Sequence, residues 1–114
     1  MAGVTARARR GDVYRVALDR ALGTEIRKTR PAVIVSNDSC NAHGARVVVL
    51  PLTSNVSSLY QGEAAVRVQG KPARVLGDQI RSIDKARLRA RIGNLTREEL
   101  AEVEMALRIT LDLA

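Results

Sequence analysis

The chain has 114 residues, 46% hydrophobic and 27% charged, with a formal net charge of +7. That length suits one domain and is too short for two. No apolar run approaches the ~18–20 residues that a membrane span needs. The reading is therefore a soluble protein with no membrane partner. A single cysteine, Cys40, cannot form an internal disulfide, which fits a cytoplasmic protein. The acids are unevenly placed. Glu98, Glu99, Glu102, Glu104 and Asp112 all fall in the last nineteen residues, and without residues 96–114 the body carries +10. A field of that sign attracts polyanions, so nucleic acid or an acidic protein is the natural partner.

In chain order, the basic start MAGVTARARRG has no apolar stretch behind it, so it reads as neither a secretion signal nor an anchor. Residues 1–9 are expected to form a disordered basic arm, and residues 10–114 a single folded domain. Asp12 to Leu18 alternates as a half-exposed strand, and ARALGTEIRKTR follows as a long loop. PAVIVS and RVVVLPLT are β-branched runs with little polar content, as strands covered on both faces are, joined by a short polar connector. EAAVRVQ and ARVLG flank Gly70-Lys71-Pro72 and read as a hairpin. RARIGNL gives a further short strand. Thr96 and Glu99 match a capping box, and Leu100, Val103, Leu107 and Leu111 recur at helical spacing, predicting a C-terminal helix that buries this stripe.

The two valine-rich runs carry the strongest hint of a site. If they form an antiparallel hairpin folded about the middle of the connector, facing residue numbers sum to about 83, and Arg30 lies opposite Thr53. Directly opposed side chains are roughly 4.5–5.5 Å apart at Cβ. A permanent cation and a hydroxyl then share one space at the rim of a sheet, which suits a phosphate. The only histidine, His43, sits in the connector at the far end of the hairpin, away from that rim. With one His, one Cys and no acidic cluster at ligand spacing, no metal site is expected. Nothing resembles a phosphate-cradling glycine loop, so no cofactor is expected.

RGDVY (Arg10 to Tyr14), GTEIRKTRPAVIVSND (Gly23 to Asp38), PLTSN (Pro51 to Asn55) and DQIRSID (Asp78 to Asp84) together resemble the MazF/PemK/Kid family of toxin ribonucleases, in the right order from about Arg10 to the C-terminus. The resemblance implies a mainly β, small α+β fold: an SH3-like barrel of short antiparallel strands of the CcdB/PemK type with a C-terminal helix. It implies the toxin half of a type II toxin–antitoxin system, a homodimer that cuts single-stranded RNA at short sequences without metal. A cognate acidic antitoxin would silence it. Arg30 and Thr53 match the residues most tied to activity.

Metal-free cutting uses the RNA's own 2′-hydroxyl as nucleophile and needs a proton acceptor, charge stabilisation at phosphorus and help for the departing oxygen. Arg30, a permanent cation, is a poor base and is assigned to phosphate binding and charge stabilisation. Thr53 would hold a phosphate oxygen or orient Arg30. Glu25, in the Gly23-Thr24-Glu25 triplet, is the candidate proton acceptor. Thr24, Arg27 and Lys28 belong to the same loop, the two cations suiting flanking phosphates. Asp78, Gln79 and Arg81 also match the family. Asp78 reads equally well as a turn-fixing residue. Some relatives use a histidine in the first loop and an arginine two residues before the Asp of DQ; here the loop has no histidine and the second position is Leu76.

Only two aromatics, Tyr14 and Tyr60, are present, so base recognition must lean on other groups. Asn37, Ser54, Asn55 and Gln79 are candidates for base edges, with turn formation the competing reading for the first three. Two other functions remain open: a gyrase-directed poison of the CcdB type and a catalytically inactive RNA-binding barrel. The first uses an aromatic-containing tail, whereas this chain ends Leu111-Asp112-Leu113-Ala114.

Overall fold

The computed structural model describes residues 8–18 and 29–114. The strands are β1 (Asp12–Val16), β2 (Arg30–Ile34), β3 (Arg46–Thr53), β4 (Glu63–Val68), β5 (Lys71–Leu76), β6 (Arg81–Asp84) and β7 (Leu88–Asn94). Helix α1 (Asp38–His43) lies between β2 and β3, and α2 (Arg97–Leu111) closes the chain. Among the described residues the seven strands form one antiparallel sheet in the order β4-β5-β3-β2-β1-β7, with β6 joined to β3 off that path.

Neighbouring residues of the central strands supply opposite faces of the sheet. Val13, Val33 and Leu50 enter a cluster with Val75, Val103 and Ala106 under α2. Tyr14, Ala32, Ile34 and Val49 enter a second cluster with Val47, Ile83 and Leu88. A strand buried on both sides has no solvent face to mark with polar residues, which is why β2 and β3 read as nearly continuous valine runs. Each fully buried aliphatic side chain contributes about 1.5–3 kcal/mol.

Several boundaries differ from the sequence reading. Ala8, expected in the arm, is buried, and the Arg9 N–H donates to Asp12 Oδ2 at 3.0 Å, so both belong to the packed domain. The first strand ends at Val16 because Ala17 leaves the sheet to bond Arg87, its N–H donating to the Arg87 carbonyl at 2.9 Å. The β4–β5 turn is Gln69-Gly70, both at positive φ, and Lys71 and Pro72 are already in β5. Strand β6, unforeseen, is a short edge strand whose four residues alternate too briefly to stand out. The polar connector is helix α1, capped by the Asn37 side chain accepting from the Cys40 N–H at 2.8 Å.

Asn41 of α1 is fully buried. Its amide donates to the Ser36 carbonyl at 2.8 Å and its oxygen accepts from the Ser36 hydroxyl, which in turn accepts from the Val48 N–H at 3.0 Å. This closed set of bonds holds the far end of the β2–β3 hairpin. Arg10 ties the amino-terminal end to the same region: its N–H donates to Asp38 Oδ1 at 2.7 Å, its Nε to the Val35 carbonyl at 3.1 Å, and its guanidinium pairs with Glu104 of α2. The backbone bond from Arg10 is the main reason the Asp38 carboxyl lies below its usual pKa, with Asn41, Arg9 and Arg10 side chains adding to it against desolvation. Between Arg10 and Asp12, Gly11 turns the chain at φ +93° and donates to the Ile34 carbonyl at 2.7 Å.

Helix α2 begins with the capping box the sequence predicts: Thr96 accepts from the Glu99 N–H at 3.0 Å and Glu99 Oε1 from the Thr96 N–H at 2.9 Å. The predicted stripe is buried only in part. Val103 and Ala106 are fully enclosed and Leu100 and Leu107 half-enclosed, but Leu111 is 45% exposed: the last turn of the helix meets Gly62 and Gly77 through Thr110 instead.

Thr96→Ala is expected to lower stability by about 1 kcal/mol, read as a shift in the urea midpoint. Burial holds the Tyr14 phenol above its ordinary pKa of 10.0, the Asp12 carboxylate adds to this, and Arg91 partly opposes it. The folded state therefore keeps the proton that the unfolded chain releases, and stability falls as pH rises above 10.0. Tyr14→Phe is expected to flatten that alkaline decline in urea titrations from pH 8 to 11, whatever its effect at neutrality.

Candidate nucleic-acid cleft

The site is built where β3 changes partner. Its outer edge pairs with β6 over Arg46 to Val49 and with β5 at Leu52 and Thr53. Pro51, with no N–H to donate, falls between the two. The chain crosses the resulting gap through a 3-10 turn, Gly77–Gln79, before entering β6 at Arg81. A cleft of 380 Å³ opens there. Pro51, Leu52, Leu76 and Leu18 form its apolar walls, and Arg30, Thr53, Gln79 and Arg81 converge on it.

The β2–β3 register places Ala32, Val33 and Ile34 opposite Pro51, Leu50 and Val49. Continued outward, it sets Arg30 against Thr53, as the hairpin argument expects, and both line the cleft. Thr53 Oγ1 accepts from the Asn55 N–H at 3.2 Å. A hydroxyl has one proton and two lone pairs, so this bond orients the group and leaves its proton to donate elsewhere. Arg81 Nη1 reaches the Leu18 carbonyl at 3.4 Å, which steers its guanidinium toward the cleft mouth. The lining thus holds two permanent cations, a hydroxyl and a carboxamide on apolar walls, with no carboxylate among the described residues, which is donor chemistry suited to a phosphate diester.

The remaining candidates divide. Asn37 caps α1 at the opposite end of the hairpin. Asn55 Oδ1 accepts from the Ser57 N–H at 3.2 Å and the Ser57 hydroxyl at 2.9 Å, shaping the loop after β3. Ser54 faces a neighbouring pocket, and Asp78 is exposed on the 3-10 turn outside the cleft lining. Thr24, Glu25, Arg27 and Lys28 lie outside the described residues. His43 is on α1, its Nδ1 3.0 Å from the Ser39 carbonyl. No group of three or more His, Cys, Asp or Glu that would hold a metal occurs among the described residues. Tyr14 is buried, and Tyr60 lies 5.6 Å from the Arg74 guanidinium in a cation–π contact, so neither joins the cleft. What sequence reasoning missed are the apolar walls Leu18 and Leu76; the one available signal was a proline inside an otherwise buried strand.

A curled antiparallel sheet closed by a C-terminal helix, with a cationic cleft at the strand-switch point, defines a small toxin fold. Residues 9–111 match the family described as PemK-like, MazF-like toxin of type II toxin-antitoxin system, and the chain belongs to that family. It is 39% identical to endoribonuclease MazF9 of Mycobacterium tuberculosis, over 92% of this chain and 97% of that protein. A solved endoribonuclease from a mycobacterial species superimposes with a TM-score of 0.77 at 28% identity, covering 92% of this chain and 91% of that one. An endoribonuclease solved in complex with its cognate antitoxin, also mycobacterial, does so at 0.76 and 29%, covering 93% and 96%.

Gly77 starts the turn that carries Gln79 and Arg81 to the cleft. Its N–H donates to the Gly62 carbonyl at 3.1 Å, and a Cβ there would fall 2.3 Å from that oxygen. Gly77→Ala is expected to cost about 1–3 kcal/mol by overpacking, seen as a lower thermal midpoint, and to displace the turn, weakening polyanion binding in the same preparation.

Proposed function

We propose that this MazF-like toxin endoribonuclease cuts single-stranded RNA at short sequences, without metal, through attack of the substrate's own 2′-hydroxyl at the cleft of Arg30 and Thr53. The observation that carries this reading is the convergence of Arg30, Arg81, Thr53 and Gln79 on one apolar-walled space.

In the reaction the 2′-oxygen bonds to the adjacent phosphorus as the bond to the 5′-oxygen breaks. The products are a 2′,3′-cyclic phosphate and a 5′-hydroxyl end. Charge builds on the non-bridging oxygens as phosphorus becomes five-coordinate. The Arg30 guanidinium stabilises that charge with paired N–H donors. The Thr53 hydroxyl, oriented by the Asn55 N–H, donates to one of the same oxygens. Arg81 holds a flanking phosphate, and Gln79 offers its carboxamide to a base edge. Fixed cations beside the phosphorus supply the charge stabilisation that a metal ion would otherwise bring. Glu25 accepts the 2′-proton, the departing 5′-oxygen takes its proton from solvent water, and Arg27 and Lys28 add phosphate contacts.

The partners follow from the same chemistry. The strongly cationic body suits an antitoxin with an acidic segment that competes with RNA for this surface. A homodimer is proposed as the working unit, supported by the exposed apolar positions Met105, Ile109 and Leu113 along and beyond α2. Its place of action is the cytoplasm, where RNA is available.

The test is incubation with a long single-stranded RNA in EDTA, mapping new 5′ ends. Wild type is expected to cut at a short recurring sequence, and Arg30→Ala to be slower by about 10²–10³-fold. Thr53→Ser should retain more activity than Thr53→Ala, and Glu25→Gln should remove the acid limb of the pH–rate profile. Undiminished cutting by Arg30→Ala, or cutting only when divalent metal is restored, would sink the mechanism.

A further inference from the structure

One strand away from Thr53 stands an arginine that the chemistry above does not use. Arg74 of β5 is the Cα partner of Thr53 on one side and of Ala65 on the other, so its side chain leaves the sheet on the same face as the Thr53 hydroxyl. Unlike Arg30 and Arg81, it is absent from the cleft lining. It is also nearly buried, with its side chain 13% exposed. A guanidinium taken out of water needs its charge and its donors met by the protein. Among the described residues, what meets them is the loop between β3 and β4.

Arg74 grips that loop in three ways. Its Nη1 donates to the Ser58 carbonyl at 2.6 Å, its Nε stands 3.5 Å from Glu63 Oε1, and its Cζ lies 5.6 Å from the centre of the Tyr60 ring. Glu63 Oε1 also accepts from the Tyr60 N–H at 2.9 Å, and the Glu63 N–H donates to the Tyr60 carbonyl at 3.1 Å. The far end of the loop is thereby pinned to β5. From there a path of bonds runs back to the cleft. The N–H and hydroxyl of Ser57, the neighbour of Ser58, both donate to Asn55 Oδ1, and the Asn55 N–H donates to Thr53 Oγ1 at 3.2 Å. Residues 54–62, SNVSSLYQG, carry no charge of their own, so the anchoring falls to Arg74 and its partner Glu63.

We propose that Arg74 is a positioning residue for RNA cutting: acting through the β3–β4 loop, it holds the Thr53 hydroxyl in the orientation that donates to the reacting phosphate. The proposal rests on the reading of the cleft as the site of cutting and of Thr53 as a donor there. Arg74 acts through Thr53 and does not touch the substrate. A hydroxyl that accepts from an N–H two residues further on makes only a weak local bond, and the threonine side chain has other staggered positions to turn to. That bond persists where the loop keeps the Asn55 N–H in place. A donor aimed in advance is what stabilises charge in a transition state, and one that has swung away contributes little. The planar guanidinium suits the task, because it offers donors along its edge to Ser58 and Glu63 while presenting a face to Tyr60. Lysine carries the same charge on a compact ammonium and lacks that combination.

The experiment measures single-turnover cutting of a short single-stranded RNA bearing one mapped site, in EDTA. It compares wild type, Arg74→Lys, Tyr60→Ala, Thr53→Ala and each of the first two variants combined with Thr53→Ala, all checked for a cooperative thermal transition. Arg74→Lys is expected to lower the saturating rate by about tenfold and leave the half-saturating concentration unchanged. In the Thr53→Ala background the same change should cost nothing further, because the group it positions is already gone. Tyr60→Ala removes a ring that is 64% exposed and loosens one side of the grip, so a smaller loss of the same kind is expected. That variant decides the matter if Arg74→Lys fails to fold. Folded variants that cut at the wild-type rate would reduce Arg74 to a folding residue and overturn the proposal. So would a loss repeated in full on Thr53→Ala, or one that falls on half-saturation and its salt dependence, which are the marks of direct contact with RNA. Those outcomes leave the nuclease reading standing. Thr53→Ala cutting as fast as wild type, or no cutting by wild type, would remove the reading of the cleft and the proposal with it.

Discussion

Strand β3 is gripped by β2 along one edge while its other edge passes from β6 to β5 around Pro51, and the cleft exists because of that change of partner. A regular sheet would have filled the gap with a continuous neighbour and left no space for a substrate. The missing N–H of proline makes the interruption tolerable, and the 3-10 turn from Gly77 to Gln79 spans it. Everything polar in the cleft is placed by these constraints. Register sets Arg30 against Thr53, and the turn delivers Gln79 and Arg81 from the other side.

The interruption costs pairing, and the structure offsets this by burying the sheet on both faces. One face packs under α2, and the other encloses Tyr14, Ile34 and Ile83. Polar groups that this double burial would strand are satisfied in closed sets, as with Ser36, Asn41 and Val48 at the far end of the hairpin. Rigidity there fixes register, and register fixes the cleft at the opposite end.

Charge segregation has a structural side as well as a functional one. Two of the five acids in the last nineteen residues are spent on docking α2. Glu99 caps the helix with one oxygen and accepts from the Arg67 N–H of β4 at 2.7 Å with the other, while Glu104 pairs with Arg10. The acidic helix is thereby fastened to the cationic body, and Arg30 and Arg81 line a cleft whose described lining holds no carboxylate.

What could be read in the amino-acid sequence was whatever depends on near neighbours. The valine runs disclosed doubly covered strands, Thr96 and Glu99 disclosed the start of α2, and the symmetry of the β2–β3 hairpin disclosed the facing of Arg30 and Thr53. The four motifs disclosed the family. Asn37 and Asn55, read as possible base contacts, are capping and turn residues here, because short polar side chains after a strand find the nearest backbone N–H groups first. Helix α1 was invisible because six residues carry too little periodicity, and Leu111 stays exposed because helical spacing alone does not say that Thr110 is the residue of the last turn that meets Gly62 and Gly77. The partner switch at Pro51, the approach of Arg81 to Arg30 across 51 positions of sequence, and the facing of Thr53 and Arg74 were decided only by tertiary structure. Each depends on which strands pair at long range, and that is a property of the closed sheet as a whole and of no local run of residues within it.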